Sequence, residues 1–234
     1  MIGFGGFIRN LFSFNNKPLI NILVRTSNRP RYFKSCYESI KGQTYKRVRI
    51  IVSYDNENTY TYLKEYKDIV KVKVYPLISD NYPPPEIERD DFRKFPPELY
   101  MNDLMKHVKK GFVAYLDDDD YYLKENSLET IVNNITSDDD LLFWRVRFPG
   151  GKIIPEVGYF GNPPVFCHVS TIGFCFHSKY IPFARWDGWR GSDYLVASKL
   201  YKVIPRKVYI NEVLTGLQRT EGWGGWGKRD DKSD

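Results

Sequence analysis

The chain has 234 residues, 42% of them hydrophobic and 27% charged, which excludes a disordered or collagen-like polymer and leaves one large α/β domain or two small ones. Its net charge of +6 asks for an anionic partner, but no Lys/Arg run forms a nucleic-acid arm. A phosphorylated small molecule is therefore at least as good a partner as a membrane face, and nucleic acid is not expected. Cys36, Cys167 and Cys175 are too few for a disulfide framework and fit a reducing, cytoplasmic setting. Cys167, His168, Cys175 and His177 lack the spacing of a structural zinc site, so core packing is the expectation for the cysteines.

Residues 1–18 ("MIGFGGFIRNLFSFNNKP") place Ile2, Phe4, Phe7, Ile8, Leu11 and Phe12 on one helical face. That face can dock on the body, on a partner or on a membrane surface, and the segment reads as an extension of the main domain. No stretch reaches the ~18–20 apolar residues of a membrane span, which disfavours a processive, pore-forming synthase. "LINILVRT" (19–26) reads as a buried strand, and Pro30 opens a helix that runs to about Lys41. "RVRIIVSYDN" gives a second strand ending near Ser53, a helix is expected over 60–66, and "VKVKVY" alternates as a third strand.

Residues 76–97 are Pro-rich and charged and interrupt this rhythm with a long loop. "ELYMNDLMKHVKK" then reads as a helix ending at Gly111 as its C-cap, followed by the strand "FVAYL" and four aspartates. "KENSLETIVNNI" reads as a helix and "LLFWRVRF" as a strand, with Trp144 and Val146 on one face and Arg145 and Arg147 on the other. The segment around Cys175 alternates like another strand, and residues 218–234 form a Gly/Trp-rich flap and tail. Strands separated by helices imply a mostly parallel central sheet flanked by helices, an α/β fold occupying residues 19–217.

In such a sheet ligands bind beyond the carboxyl ends of the strands. Arg25, Thr26 and Ser27 fall there after strand one, Asp55 after strand two, and Asp117, Asp118, Asp119 and Asp120 after the fourth. The aspartates could be a solvated turn. However, like charges a few ångströms apart repel by about 1 kcal/mol per pair even in water, and Mg²⁺ or Mn²⁺ relieves that repulsion while neutralising a diphosphate. With three loops converging on one edge, the cation site is the favoured reading.

"INILVRTSNRPRYFKSCYESIKGQTYKRVRIIVSYDN" resembles the opening of family 2 glycosyltransferases, whose pattern runs strand–P-T-Y-N-R-P–helix–Q-T-Y–strand–D-D. "GFVAYLDDDDYYL" resembles that family's D-x-D strand, and "WRGSDYLVASKLYK" its E-D motif before the last helix. The resemblance implies the GT-A fold, a nucleoside-diphosphate sugar donor (UDP-linked ahead of GDP- or dTDP-linked), a carbohydrate-containing acceptor and an inverting mechanism. Carried onto this chain, Arg25 and Thr26 line the base and ribose pocket, and Asp55 accepts from the base. Asp118 touches the ribose, Asp117 and Asp119 hold the metal, and Asp120 caps a helix. Tyr54 stands where the family has the first Asp of its D-D pair, and Ser192 where it has the Glu of E-D.

Inverting transfer needs a carboxylate that takes the acceptor's proton, and Asp193 matches the second residue of E-D. Asp187 is its rival, and a helix N-cap is the alternative role for Asp193. Arg219 is placed to meet the diphosphate, with "GWGGWG" as a flap over the donor. Two other classes stay open: a nucleotidyltransferase, which would want a Gly-rich Lys-bearing loop that "RTSNRP" is not, and a binding module that has lost its base.

Overall fold

A computed structural model describes residues 17–75 and 94–218. The N-terminal face, most of the Pro-rich loop, Arg219 and the "GWGGWG" flap therefore lie outside the described residues. In chain order the elements are β1 (Ile20–Arg25), α1 (Pro30–Lys41), β2 (Val48–Tyr54), α2 (Glu57–Leu63) and β3 (Ile69–Lys73). A 3₁₀ turn (Pro96–Leu99) leads into α3 (Tyr100–Met105), then β4 (Phe112–Asp117), β5 (Asp120–Tyr122) and α4 (Ser127–Asn133). β6 (Asp140–Arg147), β7 (Ile153–Ile154), β8 (Phe174–His177), α5 (Ser192–Val203) and β9 (Arg206–Leu217) complete the domain.

The sheet runs β3-β2-β1-β4-β8-β6-β9-β5, with β7 paired to β6. β3, β2, β1 and β4 are parallel, as is β6 with β9, while β8 joins the two halves antiparallel to both neighbours. β1 lies between β2 and β4, so the winding reverses beside it. That reversal opens a crevice beyond the carboxyl ends of β1 and β4.

Two apolar layers cover the sheet. Ile20, Ile22 and Val24 of β1 share a cluster with Phe33, Cys36 and Ile40 of α1 and with Leu128 and Ile131 of α4. Leu23, on the opposite side, joins Met101 and Leu104 of α3, Val196 and Leu200 of α5, and Trp186. Period-2 alternation in the strand meets period-3.6 spacing in the helices, and cover on both faces explains why all six residues of β1 are buried. Trp144 and Val146 are each 1% exposed while Arg147 is exposed, in the alternation expected of that strand. Cys36 and Cys175 are buried in the core as expected, whereas Cys167 is exposed, which corrects the expectation of core packing for it.

Three further expectations are corrected. α2 begins at Glu57 because Asn56 caps it, accepting from Thr59 N at 2.9 Å. The helix before β4 ends at Met105, since Lys106, His107, Lys109 and Lys110 are exposed and give it no buried face. Gly111 is thus no C-cap. It has φ +87°, and a Cβ there would lie 2.4 Å from Leu19 O.

The glycine lets β4 start against β1, where Asn21, fully buried, donates to Lys110 O at 2.8 Å and Phe112 O at 3.0 Å. Gly111→Ala is expected to cost more than about 1 kcal/mol, because positive φ and steric overlap act together. A lowered denaturant midpoint at unchanged m-value would register it. The third correction concerns Asp120, which caps no helix but opens β5, paired to Leu217 of β9.

Candidate active site

The parallel register aligns β1 with β4 so that Arg25 is the partner of Asp117. Both side chains leave the sheet at its carboxyl edge, and Arg25 grips Asp117 with two bonds, Nε to Oδ1 at 2.6 Å and Nη2 to Oδ2 at 2.5 Å. This bidentate fork suits a planar guanidinium and carboxylate. Burial works against the Arg25 charge, but Asp117, Glu98 and Asp119 more than offset it and hold its pKa above the ordinary value.

Past β4 the chain turns sharply. Asp120 accepts from Asp117 N at 2.8 Å, and Gln218 N at the end of β9 donates to Asp119 O at 2.7 Å. The turn therefore packs four carboxylates against the end of β9. Asp118 is fully buried and accepts from Thr26 Oγ1 at 2.8 Å, which also bonds Tyr62 OH at 2.7 Å. Arg29, unmarked as a site residue in the sequence, grips Asp118 through Nε and Nη2 and reaches Asp119 at 3.2 Å. Burial lifts Asp118 to about 7, opposed by Arg29 and reinforced by Asp119. Burial, then Asp119 and Asp117, push Asp120 well above the carboxylate range.

Asp117, Asp119 and Asp120 bring carboxylate oxygens within 4.8 Å of one another, the one such group among the described residues. Hard oxygen donors at this spacing fit Mg²⁺ or Mn²⁺, and the residual repulsion that raises Asp120 is the load a divalent cation would relieve. No His or Cys is needed, and His107 is exposed on its turn.

Asp55, after β2, accepts from Ser27 Oγ at 2.9 Å and from Asn56 Nδ2 at 2.6 Å, with Tyr100 also bonded to it. Tyr54, in place of a second acid, stacks on Tyr60 with ring centroids 5.0 Å apart.

Asp193 lies half-buried in the first turn of α5, one residue past the helix start and not at its cap. Its Oδ1 accepts from Tyr194 N at 2.8 Å. Asp187 has another setting. It is 2% exposed and accepts from Ser192 Oγ at 2.5 Å and Trp189 N at 3.2 Å, so it builds the loop that presents α5. Gly191 completes that loop at φ +84°, where a Cβ would meet the Phe166 ring at 2.4 Å.

Glu98, absent from the sequence-based site, feels the charge of both carboxylate sets. It is 8% exposed on the turn before α3, and burial lifts it to about 8 against the pull of Arg25, with Asp193 and Asp117 pushing the same way. Glu98 is thus in charge range of both the acidic turn and Asp193, which brings these sequence-distant residues into one site. Folded Glu98 keeps its proton to about pH 8, whereas the unfolded chain loses it near 4.5, so stability falls as pH rises through that window. Asp118 adds to the same slope. Glu98→Gln is expected to flatten the fall by up to about 1.4 kcal/mol per pH unit, read from denaturant melts between pH 5 and 9.

Residues 21–159, more than half of the chain, match the sequence profile of glycosyl transferase family 2. No curated protein sequence matches it. Among solved structures, the chain is similar to S. aureus TarS, with TM-score 0.64 at 14% identity over 86% of this chain and 37% of that one. S. aureus TarS 1-349 in complex with UDP-GlcNAc gives 0.62 at 15% identity, over 87% of this chain and 59% of that one. The mannosyltransferase PcManGT from Pyrobaculum calidifontis, in complex with GDP-Man and Mn²⁺, gives 0.59 at 12% identity, over 90% and 60%. The chain thus spans less than two thirds of the length of each. These likenesses carry the fold, a GT-A arrangement, and the profile carries the family: the chain belongs to glycosyl transferase family 2.

Proposed function

We propose that the chain transfers a single sugar, with inversion and with the help of a divalent cation, from a UDP-sugar to a carbohydrate-containing acceptor such as a glycan, glycolipid or glycoprotein. The observation that carries this reading is the acidic trio at the β1/β4 crevice, together with a separate carboxylate, Asp193, in charge range of the same Glu98 that senses the acidic turn. In-line displacement at an anomeric carbon needs a charge-neutralising group on the leaving side and a base on the opposite side.

Asp117, Asp119 and Asp120 would hold Mn²⁺ or Mg²⁺, which when bound neutralises charge on the leaving diphosphate. Thr26, Asp55 and Asp118 would take the base and ribose, with the Tyr54–Tyr60 stack as a flat wall beside them. Arg25, which the resemblance sets in the base and ribose pocket, is bonded to Asp117 and would there lie between the nucleotide and the transferred sugar. Arg219 would meet the diphosphate, a role supported by Gln218 N on Asp119 O, which brings the chain to the acidic turn one residue earlier. Asp193 would take the acceptor hydroxyl's proton. Structures of similar fold were solved with UDP-GlcNAc and with GDP-Man, which supports a nucleotide-sugar donor without choosing the sugar.

A thermal-shift screen of UDP-, GDP- and dTDP-sugars, with and without Mn²⁺, tests the reading. Ligand at 100 times its dissociation constant adds about 2.7 kcal/mol of stability, and the largest shift is expected for a UDP-sugar with the cation present. Shifts that ignore the cation would argue against the metal's part. No shift with any nucleotide sugar would argue against the transferase reading.

A further inference from the structure

Two buried polar atoms of the site, Arg25 Nη1 and Glu98 Oε2, have no hydrogen-bond partner. Both residues are 8% exposed. The remaining nitrogens of Arg25, Nε and Nη2, are taken by Asp117, and Nη1 and Oε2 do not bond each other. Leaving such a donor or acceptor unmade costs about 1–3 kcal/mol each, so a fold that keeps both has a use for them.

Glu98 cannot easily turn away. Its N–H donates to Phe95 O at 3.0 Å, and Phe95 N donates to Gly188 O at 2.6 Å, beside a bridge between Lys94 and Trp189. Four residues further on, Asn102 Nδ2 donates to Trp186 O at 2.9 Å and its Oδ1 accepts from Trp186 N at 3.0 Å. A backbone clamp and a side-chain clamp therefore fasten the Glu98 turn to the loop that presents Asp193. Ser192 brings its hydroxyl within hydrogen-bonding reach of the Glu98 carboxyl, and this serine stands where the resemblance expects an acid. A carboxyl from another segment thus occupies the neighbourhood of Asp193.

Position identifies the third party. In a displacement the reacting sugar must lie between the leaving diphosphate, at Asp117, Asp119 and Asp120, and the base at Asp193. Arg25 touches the first group and Glu98 is in charge range of both. The group that completes the two orphaned atoms must present an acceptor to Arg25. It must also meet a Glu98 carboxyl that accepts through one oxygen and, while protonated, donates through the other. A sugar hydroxyl, donor and acceptor at once, does both.

We infer that Arg25 Nη1 and the Glu98 carboxyl form the hydroxyl-recognition subsite for the transferred sugar and so select which sugar is accepted. This inference rests on the proposed transferase reading, and it makes no claim on the proton transfer, which stays with Asp193.

The test is calorimetry in Mn²⁺ with UDP alone and with UDP-glucose, UDP-galactose, UDP-GlcNAc and UDP-GalNAc, and with GDP and GDP-mannose. It is run on the wild type, Glu98→Gln and Glu98→Ala. The expected result is UDP affinity within about twofold across all three proteins, while the best-bound UDP-sugar loses at least about tenfold in Glu98→Ala. The deoxy analogue that costs most in the wild type should cost little in Glu98→Ala. Equal loss for UDP and UDP-sugar, or loss of neither, overturns the subsite. Unchanged UDP binding also shows that the variant is folded. A wild type that binds neither UDP nor GDP overturns the transferase reading itself, and the two failures are thereby distinguished.

Discussion

Asp193→Asn is expected to leave donor binding intact and to lower transfer by roughly 10²–10⁴-fold, the usual contribution of a positioned base. The amide keeps the size of the side chain and can still accept from Tyr194 N through its oxygen, as Asp193 Oδ1 does at 2.8 Å, but it cannot take a proton. Asp187→Asn separates the two carboxylates. Asp187 is buried and spent on Ser192 and Trp189, so its loss should cost about 1–3 kcal/mol of stability and leave transfer by the folded fraction within about tenfold of wild type. Single-turnover transfer at saturating donor reads both. An inactive Asp187→Asn beside an active Asp193→Asn would move the base to the earlier residue.

The second large effect is expected at Asp119. Asp119→Ala removes one of the three carboxylates that converge within 4.8 Å and also frees Arg29 Nη1 from its 3.2 Å contact. UDP affinity in Mn²⁺ should fall to the value measured in EDTA, because the remaining two acids, one of them gripped by Arg25, are a poor cage for the cation. Calorimetry with and without Mn²⁺ reads the difference directly. Retention of the full Mn²⁺-dependent increment would remove Asp119 from the metal assignment.

Much of the site was legible because the sheet is a parallel one. β1 and β4 are short, mostly apolar runs and α1 has a Pro at its start, so the ends of the strands, and with them Arg25, Thr26, Asp55 and the aspartates, could be placed from pattern alone. What pattern could not supply was pairing. Arg29 carried no local signal beside Pro30, yet it reaches across to Asp118 and Asp119, some ninety positions away in the chain.

Glu98 was hidden by a plausible local role, since an acid in a helix's first turn is favoured by the macrodipole and needs no further explanation. Its significance comes from burial against residues near position 190, which no local window contains. Asp120 misled for the related reason that Asp favours helix caps. Here a three-residue strand pairing with the far end of β9 overrides that preference. The short α3 repeats the point: helix propensity in "MKHVKK" does not suffice without an apolar face to bury.

The most direct test of the central claim is release of UDP from a panel of UDP-sugars by the purified chain, followed with Mn²⁺ and again with EDTA, with water as the default acceptor. Slow, Mn²⁺-dependent release from one or a few UDP-sugars, abolished in Asp119→Ala and strongly reduced in Asp193→Asn, is the predicted result. Release that EDTA leaves untouched, or no release from any UDP-, GDP- or dTDP-sugar even with glycan acceptors added, would contradict it.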